Sequence, residues 1–388
     1  MLTRSHVMTT VAQFEITYTQ YLDKGLSTLQ TLEAVAQFEI TYTQYLNEQG
    51  KLVAELPPFA DNQSILKELY KIMVLTRTFD KKAIALQRTG KMGTYAPING
   101  QEAISTAIGH ALKPEDVLVP YYRDYAAQFQ RGVKMSEILA FWGGDERGSH
   151  YSNNAEDLPI CVPIASQCLH AAGVAFAFKY RNQPRVAVVC IGEGGTSEGD
   201  FYEAMNVAGA WKLPVVFVVN NNKWAISVPI EKQTGSQTIA QKAIAAGFSG
   251  VQIDGNDIFA ARQVIGDAIE KARQGGGPTL IEALTYRLCD HTTADDATRY
   301  QPSHEVEEAK AKEPIVRFKH YLMQQNIWTS QDEEKLVIEC SEKVEKAVEE
   351  YLNTKPQPVS SIFDYHYAEL PEYLIEQRAI AMEEYSHA

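Results

Sequence analysis

RVAVVCIGEGGTSEGDFYEAMNVAGAWKLPVVFVVNNN, residues 185–222, decides the architecture. RVAVVCIG and PVVFVVNNN are short apolar runs rich in β-branched residues, as buried strands are. Between them, Phe201, Ala204, Met205, Ala208 and Trp211 recur at helical spacing. Two strands apolar on both faces, joined by a crossover helix, describe a parallel sheet covered by helices. Further strands are expected at VLVPYY, GVQIDG and PTLIEAL, with helices at QTIAQKAIAAG and IFAARQVIGDAIEKARQ between the last of them. Upstream, ILKELYKIMVLTRTFDKKAIALQ and QEAISTAIGHAL read as helices. The expected fold class is α/β, a doubly wound parallel sheet, with an N-terminal arm and a C-terminal helical extension.

The expected divisions are an arm over residues 1–62, the α/β domain over 63–302 and a charged helical extension over 303–388. In the arm, VAQFEITYTQYL occurs at 11–22 and again unchanged at 35–46. Two identical copies suggest a recent duplication rather than a solenoid, and the sequence gives the first copy no function. Asn47 and Gly50 suit a turn between two short strands.

A chain of 388 residues, 45% hydrophobic, can bury a substantial core. Its 36 Lys and Arg against 49 Asp and Glu leave −13, which disfavours nucleic acid or an anionic membrane as the main partner. The five cysteines form no CxxC and sit mostly among apolar residues, as reduced thiols do. MLTRSHVMTTVAQ has no apolar core of the signal-peptide kind, so a cytoplasmic location is expected.

In open parallel sheets, ligands bind where strands end and helix N-termini converge. Here one strand ends in Glu193 among Gly192, Gly194 and Gly195, and its neighbour in Asn220, Asn221 and Asn222. Glycines let backbone N–H groups approach an anion, while a carboxylate and an amide oxygen are hard ligands suited to Mg²⁺. A dinucleotide fingerprint from Gly192 would need glycine at Ser197, and a Walker loop from Gly194 would need lysine at Asp200. Both fail, which disfavours a simple NAD dehydrogenase.

The separation 222 − 193 = 29, with a helix between and NNNKWAIS after, resembles the thiamine diphosphate motif of G-D-G followed at similar distance by N-N. GTSEGDFYEAMNVAGAWKLPVVFVVNNNKWAISVP is similar to α subunits of the E1 component of 2-oxoacid dehydrogenase complexes, and the similarity runs from about residue 60 to 350. The resemblance implies a thiamine diphosphate-binding fold of the diphosphate-binding type. It assigns Glu193, Asn222 and the backbone carbonyl of Trp224 to Mg²⁺. Tyr122, Arg123, Gly194 and Gly195 would meet the diphosphate, Ile226 or Ile164 would be the apolar wedge that bends the cofactor, and the backbone of Val162 and Ile164 would meet its aminopyrimidine. TYRLCDHTTADDATRY, 285–300, matches the family's active-site loop and gives His291 a catalytic place beside diphosphate and substrate. Tyr95 and His150 are candidates to line the substrate pocket. The motif has Asp where this chain has Glu193, one methylene longer, and Cys289 stands where glycine is common.

The implied activity is oxidative decarboxylation of pyruvate with transfer of the acetyl unit to the lipoyl domain of E2. The glutamate that such chemistry needs on the cofactor's pyrimidine lies in a second α/β domain for which this chain has no room. A β subunit would supply it in an α₂β₂ heterotetramer. A branched-chain 2-oxoacid dehydrogenase α subunit and a non-catalytic scaffold are the alternatives.

Overall fold

In the computed structural model, which describes residues 8–18, 33–154 and 156–386, the strands β1 (Met8–Tyr18) and β2 (Glu33–Thr43) come first. There follow α1 (Gln63–Arg88), α2 (Glu102–Ala111), β3 (Val117–Val119), α3 (Tyr125–Gln130), α4 (Met135–Trp142) and α5 (Ser166–Tyr180). Next are β4 (Ala187–Gly192), α6 (Gly199–Ala210), β5 (Val215–Asn221) and a small ribbon of β6 (Trp224–Ala225) with β7 (Val228–Pro229). The last parallel strands, β8 (Ser249–Asp254) and β9 (Thr279–Leu284), lie among α7 (Lys242–Ala245) and α8 (Ile258–Arg273). Finally come α9 (Ser303–Ala311), α10 (Pro314–Gln324), α11 (Ser330–Leu352), α12 (Ser361–Asp364) and α13 (Glu372–Ser386).

The sheet order is β1-β2-β8-β9-β5-β4-β3. The six strands from β2 to β3 are parallel, and β1 adds an antiparallel edge. Alternate strand residues serve opposite layers. Val188, Cys190, Val216, Val218 and Ile281 pack with α1, α2, α8 and the start of α11, while Val189, Ile191, Val215, Phe217 and Leu280 pack with α5 and α6. This is the doubly wound arrangement expected of strands apolar on both faces. Phe318, Tyr321 and Leu322 of α10 and Leu336 and Cys340 of α11 share the first of these cores.

Three local outcomes differ from the sequence reading or add to it. Trp211 ends α6 exposed, 5.2 Å from the Phe176 ring, rather than continuing the buried stripe of Phe201, Ala204, Met205 and Ala208. QTIAQKAIAAG is helical only over Lys242–Ala245: the Ile239 and Ala240 N–H groups donate to Glu282, which holds the start as a loop, and Gly247 at φ +79° ends it. Residues 11–18 of the first copy lie in β1, and in its antiparallel register Phe14 lies opposite Phe38, its own counterpart in the second copy. The turn after β2 is as expected, with an antiparallel bridge between Leu46 and Leu52 and Gly50 at φ +71°.

Candidate active site

The ladder between β4 and β5 pairs Ala187 with Val215 and, at its end, Gly192 with Asn220. Glu193 and Asn222 therefore leave the sheet side by side, and the Asn222 N–H donates to Glu193 Oε2 at 3.2 Å. Glu193 is 2% exposed, and its Oε1 has no partner among the described residues. Burial pushes its carboxyl above the usual range, against the opposing pull of backbone N–H groups and Arg287. A buried carboxylate oxygen left unpaired is costly, and a cation is the direct remedy.

Around it lies a cavity of about 220 Å³ whose wall includes Tyr121, Tyr122, Arg123, Ile164, Gly194, Gly195, Asn222, Trp224, Ile226 and His291. The glycines are required there. A Cβ on Gly194 would come within 2.5 Å of Ala225 Cβ, and one on Gly195 within 2.6 Å of Ile191 Cδ1. Of the three asparagines only Asn222 faces the cavity. Asn220 donates to Gln101 and Tyr121, and Asn221 donates to Glu282. Ile226, at the tip of the β6–β7 ribbon, sits at φ +53°, a strained conformation for a β-branched residue, and is 57% exposed.

Arg123, 1% exposed, donates to His291 O at 2.6 Å and lies 3.1 Å from His291 Nδ1. The sequence reading missed the second cation, Arg287, which is fully buried. It donates to Trp224 O at 3.2 Å and Ile226 O at 2.8 Å and comes 3.3 Å from the same Nδ1. Burial, then Arg123 and Arg287, pull His291 down to about 3. Its imidazole is neutral, and because Nδ1 faces two guanidinium donors it must accept there, leaving the proton on Nε2.

Among the described residues no three His, Cys, Asp or Glu side chains cluster as metal ligands. The available oxygens are Glu193 Oε1, Asn222 Oδ1, which already accepts from the Trp224 N–H, and Trp224 O, which already takes Arg287. Such a set of hard donors fits Mg²⁺ when phosphate oxygens complete its shell. The unpartnered Glu193 Oε1 is the observation on which that fit stands.

A protein-family model described as "Dehydrogenase E1 component" matches residues 70–360. The chain is 41% identical over 343 residues to "Pyruvate dehydrogenase E1 component subunit alpha" of Staphylococcus aureus strain Mu50, covering 88% of this chain and 92% of the relative. The same identity and coverage hold for the like-named proteins of Staphylococcus epidermidis strain RP62A and Staphylococcus aureus strain MRSA252.

This chain belongs to the dehydrogenase E1 component family.

Not every expected residue of this E1 component chain reaches the cavity. Tyr95 is fully buried, with its hydroxyl on Asp80, and does not line the cavity. His150 follows the short 3-10 turn Glu146–Ser149 and does not line it either. Val162 is 49% exposed beside the wall rather than in it, whereas Ile164 is part of the wall. Gln101 and Arg287 reach the site although no motif marks them. For Arg287 the available signal was its place four residues before His291, just beyond an apolar strand.

Proposed function

We propose that this chain is the α subunit of a pyruvate dehydrogenase E1 component and holds thiamine diphosphate through Mg²⁺ in the cavity beyond β4 and β5. The supporting observation is Glu193, a buried carboxylate with one oxygen unpartnered among the described residues, facing a cavity whose wall also holds the Gly194 and Gly195 backbone, Arg123, Asn222 and apolar side chains such as Ile164 and Ile226. When bound, thiamine diphosphate supplies the carbon nucleophile and electron sink for decarboxylating a 2-oxo acid.

The chain's own residues bind and orient. Glu193, Asn222 and the Trp224 carbonyl would hold the metal, and Gly194 and Gly195 would offer backbone N–H groups to the diphosphate. Tyr122 and Arg123 would meet the same anion, Arg's planar fork suiting phosphate oxygens, while Arg287, whose donors go to Trp224 O, Ile226 O, Cys289 O and Tyr300, adds its charge from behind the wall. His291, neutral, would donate from Nε2 rather than exchange a proton through Nδ1. Ile164 and Ile226 are exposed apolar side chains at the mouth, fit to brace the cofactor's bend, and the Val162 and Ile164 backbone would meet its aminopyrimidine. Tyr95 and His150 stand outside the wall, so no substrate contact is given to them.

The described residues contain one parallel sheet, so the glutamate that acts on the pyrimidine is assigned to a β subunit in an α₂β₂ assembly. The apolar residues Val162, Ile164 and Leu169, exposed on and just before the first turn of α5, suit such a face. The lipoyl domain of E2 would receive the acetyl unit. All five cysteines are free, which accords with a cytoplasmic location. No helix of the described residues is long and apolar enough to cross a membrane. The test is CO₂ release by the chain with its cognate β subunit, from pyruvate against 3-methyl-2-oxobutanoate. Pyruvate should be turned over faster; preference for the branched acid would reassign the substrate, and release from neither would overturn the proposal.

A further inference from the structure

The segment joining α1 to α2 touches several parts of the site from outside the cavity. Tyr95 donates its N–H to Thr293 Oγ1 at 3.0 Å and accepts from the Thr293 N–H at 2.8 Å, so it clasps the loop that carries His291. Pro97 O accepts from Arg123. Gln101 Oε1 accepts from the side chains of Asn220 at 2.9 Å and Asn222 at 3.0 Å. One short stretch thus fixes a cation, a loop and an amide of the candidate site.

That stretch is held by an acid on α1. Asp80, 1% exposed, accepts from Tyr95 OH at 2.6 Å, from the Ile98 N–H at 3.0 and 3.1 Å, and from the Asn99 N–H at 3.1 Å. Glu102 continues the pattern one step on, accepting from the Gly100 N–H at 3.1 Å while paired with Arg77. Backbone N–H groups of a buried irregular segment need acceptors, and a carboxylate meets several at once with charge-assisted bonds. An apolar residue of the same size would leave all three donors orphaned. The arrangement forms a chain of direct contacts: Asp80, the segment 95–99, then Arg123 and Thr293, then His291.

We propose that Asp80 is a positioning residue, which sets the place of Arg123 and of the His291 loop through the segment 95–99. This rests on the function proposed above only for the identity of the ligand; the bracing itself concerns the unliganded chain.

Hydrogen exchange read by mass spectrometry on the full chain without ligand tests it. In Asp80→Asn, peptides covering 93–101 and 289–300 should exchange about tenfold faster or more, as leaving buried N–H donors without their acceptor implies. A peptide covering Ala187–Gly192 should keep its rate. Thr293→Val, which takes the acceptor from the Tyr95 N–H but leaves Asp80 and its other donors in place, should speed both peptides to a smaller degree than Asp80→Asn. If Asp80→Asn fails to fold, Tyr95→Phe removes one donor without changing charge and should speed the same two peptides to a smaller degree. Unchanged exchange at 289–300 in the folded variant, or equal acceleration in all three peptides, overturns the proposal. As a second arm, calorimetry on the chain assembled with its cognate β subunit, with thiamine diphosphate and Mg²⁺, should give a weaker dissociation constant for Asp80→Asn than for wild type. No heat from wild type would sink the ligand assignment while leaving the exchange result to decide the role of Asp80.

Discussion

Replacing Glu193 by Gln should stabilise the unliganded protein and abolish its response to cofactor and metal. Glu193 keeps 2% of its surface exposed, and burial outweighs the help its carboxylate receives from the Asn222 N–H at 3.2 Å, its own backbone N–H, Arg287 and Gln233, while its Oε1 has no hydrogen-bond partner among the described residues. Leaving a buried polar group unsatisfied costs about 1–3 kcal/mol, and more when it is charged. Glutamine removes the charge but keeps an amide that the site was not built to satisfy, so roughly 1–2 kcal/mol should be recovered. At about 2–4 °C per kcal/mol, the melting midpoint in a chelator should rise by about 2–8 °C. Magnesium and thiamine diphosphate together, at about 100 times the dissociation constant, should add about 2.7 kcal/mol to the wild type. They should add little to the variant. The order of the two proteins therefore reverses between the two conditions, which differential scanning calorimetry reads directly. A variant that melts below wild type in chelator, or that keeps the ligand-induced rise, would refute the reasoning.

Three further outcomes follow from the same geometry. Because His291 is pulled from 6.5 to about 3, the unfolded chain binds a proton between those values that the folded chain lacks, so His291 lowers stability as pH falls through that window. In an NMR titration of the unliganded protein's nine histidines, the His291 resonance, identified by its loss in His291→Gln, should not move near pH 6.5; a shift there would show the imidazole less enclosed than described. Brief iodoacetamide treatment of the native protein should label Cys161, which is only partly buried, before buried Cys168, Cys190 and Cys340 and before Cys289, which is also partly exposed but whose thiol burial pushes up to about 12. First labelling at Cys289, read by peptide mapping, would contradict that order. Ile226→Asn places a residue that tolerates positive φ at the ribbon tip, so the midpoint should hold or rise by about 1 kcal/mol equivalent while cofactor affinity falls. A calorimetric affinity equal to wild type would remove Ile226 from the cofactor's support.

The sheet was legible because its strands are buried on both faces and so appear as unbroken apolar runs, and β4, α6 and β5 lie where such runs put them. Glu193 and Asn222 could be read as neighbours because each directly follows one of two parallel strands joined by a single crossover helix. Helix α5 was not legible: it is alanine-rich with apolar residues on several sides, so no amphipathic stripe marks it. Asp80, Gln101 and Arg287 were invisible for a different reason. Each is a single polar residue whose role comes from contacts across long sequence separations, such as Arg287 on Trp224 and Gln101 on Asn222. Tyr95 shows the converse. An aromatic expected in the substrate pocket instead turns its hydroxyl inward onto a buried acid. The repeat gave no hint of β1, since a second identical copy says nothing of where it docks.

The in-register pairing of Gly192 with Asn220 has an evolutionary corollary. Nearness of acid and amide is enforced by the ladder, not by how many amino acids lie between them, so lengthening the crossover at Trp211–Pro214 should leave the clasp intact, each doubling of a flexible loop adding only about 0.6 kcal/mol. Sliding one strand by two positions would keep every inward-facing side chain inward yet draw the pair apart by about 6.6 Å. A homologue with an odd count between its two signature residues can thus be fully competent, and one with the usual count but a slipped strand cannot.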